Sequence, residues 1–192
     1  MQKVKMCITI IGNGKLAKAL VLGLTRSGFH SSNILIIRRQ NSSSDFTFFT
    51  SRGIRVSTNM QECVSSQHIF LTVSPGGSGE IIAEIQKVRF NPDLHYEIIS
   101  LVSDLSRRDI KKAVGPTDCT IIRATCNTNI AFGKGLICAT DDSILFSSLG
   151  RVTIELPNWV LRSIVTVGSG NAFDCVALKL CYEVSSGNKT LY

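Results

Sequence analysis

Hydrophobic positions along this chain fall into short consecutive aliphatic runs separated by stretches in which apolar residues return at helical spacing. The first run, Met6 to Ile11, reads as a strand that breaks at Gly12-Asn13-Gly14 and gives way to the helical pattern of Leu16, Ala17, Leu20, Val21 and Leu24. Ser27-Gly28 supplies the end of that helix, with glycine as the stop. Asn33 to Ile37 is a second strand, and the polar stretch Gln40 to Ser51 covers a second helix whose packing residues are Phe46, Phe48 and Phe49. Gly53 to Val56 predicts a third strand and Asn59 to Ser65 a short helix, followed by a buried strand His68 to Val73 that closes at Ser74-Pro75-Gly76-Gly77. Ser78 is placed to cap a helix with Ile81, Ile82 and Ile85 on one face. Glu97 to Leu101, a serine-capped helix from Ser106 to Val114, and Cys119 to Arg123 continue the alternation. Gly135 to Ala139 and Val152 to Leu156 read as strands flanking a helix over Asp142 to Leu149. From Asn158 a mixed apolar segment runs into a helical stretch ending near Val184, and a polar tail follows.

Regular alternation of strand and helix predicts an α/β fold, a mostly parallel sheet doubly wound by helices on both faces, of the Rossmann type, with a short helical segment at the C-terminal end. Residues 1–157 would form the main domain and residues 158–192 the remnant. Ligands in such sheets sit beyond the carboxyl ends of the strands. The first of those ends carries G-x-G-x-x-A, in which Gly12 permits the turn, Gly14 lets backbone approach a pyrophosphate at the helix N-terminus, and Ala17 allows close packing of helix on strand. Sites for NAD carry an acid about 20 residues past the glycines to bind the ribose diol. This chain instead places Arg38-Arg39-Gln40-Asn41 and three serines there, with no acid before Asp45. Guanidinium forks suit a 2′-phosphate, so the expected cofactor is NADP(H) ahead of NAD(H); two solvated arginines at a strand end are the plainer alternative.

The net charge of +7 modifies this picture little, because the basic residues are scattered and form no aromatic-interleaved stripe of the kind that binds nucleic acid. An odd set of seven cysteines, none in C-x-x-C spacing, reads as buried thiols in a reducing, cytoplasmic compartment. His30, His68 and His95 are separated in the sequence, so neither a metal cluster nor a triad is expected. The apolar run before Gly12 is too short for a signal peptide, and no apolar stretch reaches the ~18 residues of a membrane span.

Several of these strand ends carry an ordered set of motifs. Ile11-Gly-Asn-Gly-Lys-Leu-Ala17 is followed by Asn59, sixteen residues before Pro75, by Leu71-Thr-Val-Ser-Pro75, and by Ile98-Ile-Ser-Leu-Val-Ser-Asp104. Ile122-Arg-Ala-Thr-Cys-Asn-Thr-Asn129, Gly133-Lys-Gly135 and Gly168-Ser-Gly-Asn-Ala172 complete it. The set resembles pyrroline-5-carboxylate reductase, with its I-G-x-G-N-M-A turn, A-V-K-P strand end, S-I-A-A-G segment, R-x-M-P-N-T-P signature and G-S-G-P-A motif, over about residues 4 to 180. The resemblance implies hydride transfer from NADPH to the C=N carbon of a small cyclic imine. It implies Gly12, Asn13, Gly14, Lys15 and Leu16 at the pyrophosphate, Arg38 and Arg39 at the 2′-phosphate and Asn59 on the adenosine side. Thr72 to Ser74 and Val102 to Asp104 would lie near ribose and nicotinamide, and Asn127, Thr128 and Ser169 would be the catalytic-pocket residues. Asn127 equally suits a turn after a strand, and Asp104 equally suits a cap for the helix near Ser106.

The chain departs from the pattern at Ser74 for lysine, Asp104 for glycine, Cys126 and Asn129 for the two prolines around N-T, and Asn171 for proline. Members of the family continue into a helical domain that dimerises and supplies a loop for the substrate carboxylate. The resemblance therefore implies a C-terminally truncated version, completed by a homodimer or partner chain, or else a catalytically impaired NADP-binding sensor or scaffold. A small reductase of another imine is the third reading.

Overall fold

The computed structural model describes residues 7–38 and 46–153. Within them eight strands form one sheet in the order β3-β2-β1-β4-β5-β6-β7-β8. The strands are β1 (Ile8–Ile11), β2 (Ile34–Ile37), β3 (Arg55–Ser57), β4 (His68–Leu71), β5 (Tyr96–Ser100), β6 (Cys119–Cys126), β7 (Gly135–Ala139) and β8 (Gly150–Thr153). The first six pair in parallel, β7 runs antiparallel to β6, and β8 is parallel to β7. This is the doubly wound, mostly parallel sheet that the sequence predicts.

Strand alternation sends successive side chains to opposite faces, so each aliphatic run feeds two cores. Ile8 and Ile10 of β1, Ile34 and Ile36 of β2, Phe70, Ile99 and Ile122 pack on one face with helix α1 (Lys15–Arg26), Phe49 and Ile130. Leu35, Ile37, Ile69, Leu71, Ile98 and Ile121 pack on the other with α3 (Ser78–Ile85) and α4 (Arg107–Val114). The short α2 (Thr47–Thr50) contributes the fully buried Phe49 to the first core. One polar residue of β1, Thr9, is buried by donating its hydroxyl to Ser66 at 2.8 Å.

Helix α1 ends as the sequence predicts, with Gly28 at φ +98° and its N–H bonded to the Thr25 carbonyl. Its Gly23 has a structural role that periodicity does not show. A Cβ there would lie 2.5 Å from the Ile130 carbonyl oxygen, so glycine lets the 3-10 helix Thr128–Phe132 press directly onto α1. That segment was not foreseen as an element.

Two local expectations are corrected. The helix expected over 142–149 is a series of turns with a 3-10 helix at Phe146–Ser148. Asp142 Oδ1 takes the Ser143 N–H, and Ser143 Oγ takes the Leu145 N–H while donating to Glu97, so side chains satisfy the donors a helix would use. The short helix predicted over 59–65 is present as the 3-10 helix Met60–Ser65, with Asn59 as its N-cap. Ser78 does not cap α3; Gly77 is its N-cap and Ser78 is the first helical residue. The serine cap of α4 is present, with Ser106 and Asp109 bonded reciprocally.

Arg39, the expected domain boundary at residue 157, the segment 158–192 and Ser169 within it lie outside the described residues. Among the described residues no helix is long and apolar enough to cross a membrane, and no group of His, Cys, Asp and Glu side chains is arranged to hold a metal.

Candidate functional site

The carboxyl ends of β1, β2, β4, β5 and β6 bring the predicted site residues to one edge of the sheet. At its centre, the β1 ladder continues into the glycine turn, where Gly12 N–H donates to the Ile37 carbonyl at 2.8 Å. Gly12 sits at φ +121°, a conformation L side chains rarely adopt, and a Cβ there would fall 2.4 Å from Thr72 Oγ1. Thr72 in turn donates its hydroxyl to the Ile11 carbonyl at 3.0 Å, so it is the floor beneath the turn and joins the ends of β1 and β4.

Gly14 is the N-cap of α1, and a Cβ on it would meet nothing within 4 Å. The turn is therefore open on the side where the helix begins. No side chain caps α1 and no acid lies in its first turn; Lys15 is exposed there and Leu16 is half-buried against the core. The first intrahelical acceptor is the Gly14 carbonyl, reached by Lys18 N–H, which leaves the preceding N–H groups at the positive end of a 12-residue helix for an outside acceptor. An anionic pyrophosphate fits this donor set and this open surface. The half-buried Asn13 stands between the two glycines.

On the β2 side, the Arg38 guanidinium lies 3.7 Å from the centroid of the Phe46 ring. Stacking on the ring fixes the plane of the guanidinium. Beside it, Phe48 is covered by Lys18 at 5.1 Å and Arg52 at 4.0 Å. Sequence reasoning treated these phenylalanines as packing residues only. No local signal marked them, because Lys18 and Arg38 lie far from them in sequence and only the fold brings the groups together. Asn59 follows β3 and accepts the Gln61 N–H at 3.1 Å, capping its own 3-10 turn at the rim of a hollow also lined by Thr58, Met60 and Lys87.

On the other side, Ser74 is exposed in the turn after β4, its carbonyl taking the Gly77 N–H at 2.8 Å. Asp104, after β5, does not cap α4. Its Oδ2 accepts the Ser78 hydroxyl at 2.7 Å, tying the β5–α4 loop to the start of α3. The buried Arg123 of β6 donates through Nη2 to the Ser103 carbonyl at 2.9 Å and holds the same loop from below. Neither Ser78 nor Arg123 was a sequence candidate.

At the end of β6, Asn127 Oδ1 accepts the Leu136 N–H at 3.3 Å across the β6–β7 connection, which is the turn role, while Thr128 is exposed beside it. Burial pushes the Cys126 thiol up to about 12, so it is a packing group rather than a thiolate nucleophile. The structure thus brings Gly12, Asn13, Gly14, Lys15, Leu16, Arg38, Thr72, Ser74 and Asp104 along one edge. Asn59 lies at the β3 end and Asn127 and Thr128 at the β6 end.

Residues 7–94, from β1 to the loop before β5, match the family model for NADP oxidoreductase, coenzyme F420-dependent. The pyrroline-5-carboxylate reductase of Haemophilus influenzae is 25% identical over 130 residues, which cover 67% of this chain and 46% of that protein. The chain is thus similar in part to pyrroline-5-carboxylate reductases. It spans about half the length of the curated relatives it matches. In fold, it superposes on a pyrroline-5-carboxylate reductase from Coxiella burnetii with a TM-score of 0.70 at 20% identity, covering 98% of this chain and 73% of that one. A Plasmodium falciparum pyrroline carboxylate reductase solved with NADP bound gives 0.59 at 14% identity, over 97% and 80% of the two chains. This similarity accords with the ordered motifs at the strand ends.

Proposed function

We propose that this chain binds NADP(H) across the Gly12–Gly14 turn and works as the cofactor-bearing part of a reductase acting on a C=N bond, with 1-pyrroline-5-carboxylate as the favoured substrate and proline as the product. The observation that carries the reading is the uncapped, acid-free N-terminus of α1 behind an open Gly14, flanked by a stacked Arg38. When bound, the nicotinamide supplies the hydride.

In this reading the chain's own residues bind and orient. The first-turn N–H groups of α1 and Lys15 hold the pyrophosphate, and Arg38, with Arg39 beside it in sequence, holds the 2′-phosphate. Thr72 keeps Gly12 in its turn, and Ser74 and Asp104 border the nicotinamide half. Asn127, Thr128 and Ser169 border the imine. Fixing two reactants in one geometry supplies a large part of the barrier reduction for such a transfer. Association with a second copy or a partner chain, and a reducing cytoplasmic setting in keeping with the free thiols of Cys7, Cys63, Cys119 and Cys126, belong to the same proposal.

A second reading, a dinucleotide-binding sensor or scaffold, is favoured by the engagement of Asn127 in the β6–β7 turn. Two measurements separate them. Titration is expected to give tighter binding of NADPH than NADH, with Arg38→Ala weakening NADPH about tenfold and leaving NADH unchanged. Equal affinities for the two cofactors remove the NADP assignment. Oxidation of NADPH on addition of 1-pyrroline-5-carboxylate supports the reductase, whereas binding without oxidation supports the sensor.

A further inference from the structure

Asp104 is exposed, and its carboxylate has one hydrogen-bond partner among the described residues, the Ser78 hydroxyl on Oδ2 at 2.7 Å. It takes part in no ion pair among those residues. Two nearby cations are engaged with other groups: Arg107 pairs with Asp141 at 3.1 Å, and Arg123 donates to the Ser103 carbonyl at 2.9 Å. Arg108 follows on α4. The carboxylate is therefore a negative charge pinned in place by a neutral group.

Sheet order fixes what lies over it. Of the two strands beside β1, β2 carries Arg38 and the aromatic-basic cluster, which takes the phosphorylated adenosine end. A dinucleotide centred on the Gly12–Gly14 turn then extends the other way, over the ends of β4 and β5. The Ser78–Asp104 bridge joins the loops that follow those two strands. Nicotinamide is the half of the cofactor whose charge changes: the ring is cationic when oxidised and neutral when reduced.

We propose that Asp104, fixed by Ser78, makes this site discriminate between the redox forms of the cofactor, holding NADP+ more tightly than NADPH. The inference rests on the dinucleotide reading of the α1 site. A carboxylate close to the ring but near the surface, where solvent and salt screen it, shifts the ratio of the two affinities by about fivefold toward the cation. Arg123 offsets part of the field in both forms, so the effect of Asp104 is read from the change in ratio when that one charge is removed. The consequence is a site biased toward reporting the oxidised pool.

The test is separate titration of the full chain with NADP+ and with NADPH, followed by calorimetry, for the wild type, Asp104→Asn and Ser78→Ala. The wild type is expected to bind NADP+ about fivefold more tightly, Asp104→Asn to bring the ratio near one, and Ser78→Ala to fall between them as the carboxylate loses its fixed position. Raising the salt concentration is expected to compress the wild-type ratio toward that of Asp104→Asn. A wild-type preference for NADPH, or a ratio unchanged by Asp104→Asn, overturns the inference while leaving the cofactor site standing. Failure of either dinucleotide to bind overturns both.

Discussion

Two helices of this protein begin at the same edge of the sheet and solve the problem of their first N–H groups in opposite ways. Helix α4 is closed: the Ser106 hydroxyl takes the Asp109 N–H at 3.1 Å, and the Asp109 carboxylate takes the Ser106 N–H at 3.2 Å and its hydroxyl at 2.6 Å. Helix α1 is open: its N-cap is a glycine, its first turn has no acid, and nothing stands within 4 Å of where the Gly14 side chain would be. Closure is the ordinary solution, and a cap contributes about 1 kcal/mol. A 12-residue helix buried along one face by Ala17, Leu20, Val21 and Leu24 forms without it, held by packing. The difference teaches that α1 forgoes the cap that α4 uses and leaves its positive end open, which is the surface the proposed cofactor would occupy.

Closing the open end gives the largest effect. Gly14→Asp places a carboxylate in extended N-cap backbone, φ −76° and ψ −170°, with room for its Cβ. The helix gains a cap and a favourable charge at its positive end, and thermal stability is expected to rise by roughly 0.5 kcal/mol. The same carboxylate stands where the proposed pyrophosphate would sit, so NADPH affinity is expected to fall about 100-fold, or roughly 2.7 kcal/mol. Thermal melting and titration on one preparation check both signs. Unchanged affinity would remove the pyrophosphate from α1.

That the open end was visible in the sequence, while much around it was not, has a physical reason. Gly12 and Gly14 interrupt a strand and start a helix within a few residues, so local pattern suffices, and the aliphatic runs of β1, β2, β4, β5 and β7 mark strands buried on both faces. The bridge between Ser78 and Asp104 spans 26 residues and exists only because β4 and β5 are neighbours. Arg38 and Phe46 likewise meet only once α2 folds back beside β2. Around Asp142 and Ser143, local pattern misled: residues whose spacing suits a helix use their own side chains to satisfy the backbone as turns. Gly23 reads as an unremarkable helical glycine until the Ile130 carbonyl is set against it.

Opening the closed end gives a smaller and simpler effect. Ser106→Ala removes the hydroxyl that takes the Asp109 N–H, and is expected to lower stability by about 1 kcal/mol in denaturant unfolding. Because α4 uses its cap for folding alone, NADPH affinity is expected to stay unchanged when measured well below the unfolding midpoint. A loss of affinity comparable to that of Gly14→Asp would mean that the two helix ends are not separate in function.

The acid side of the stability curve tests the same cap by a finer measurement. Hydrogen bonds from the Ser106 hydroxyl and N–H hold the Asp109 carboxyl below its ordinary value of 3.8, with Arg108 and Lys112 adding a smaller pull in the same direction. A carboxyl whose pKa is lower in the folded state stabilises that state fully above the unfolded value and loses the contribution as pH falls through the folded one. The stability gap between wild type and Ser106→Ala is therefore expected to be constant from neutral pH down to about 4 and to narrow below it, as protonated Asp109 stops accepting the two bonds. Denaturant unfolding of both chains across that range checks the sign, and a gap that widens in acid would show that the Asp109 charge opposes the cap instead of completing it.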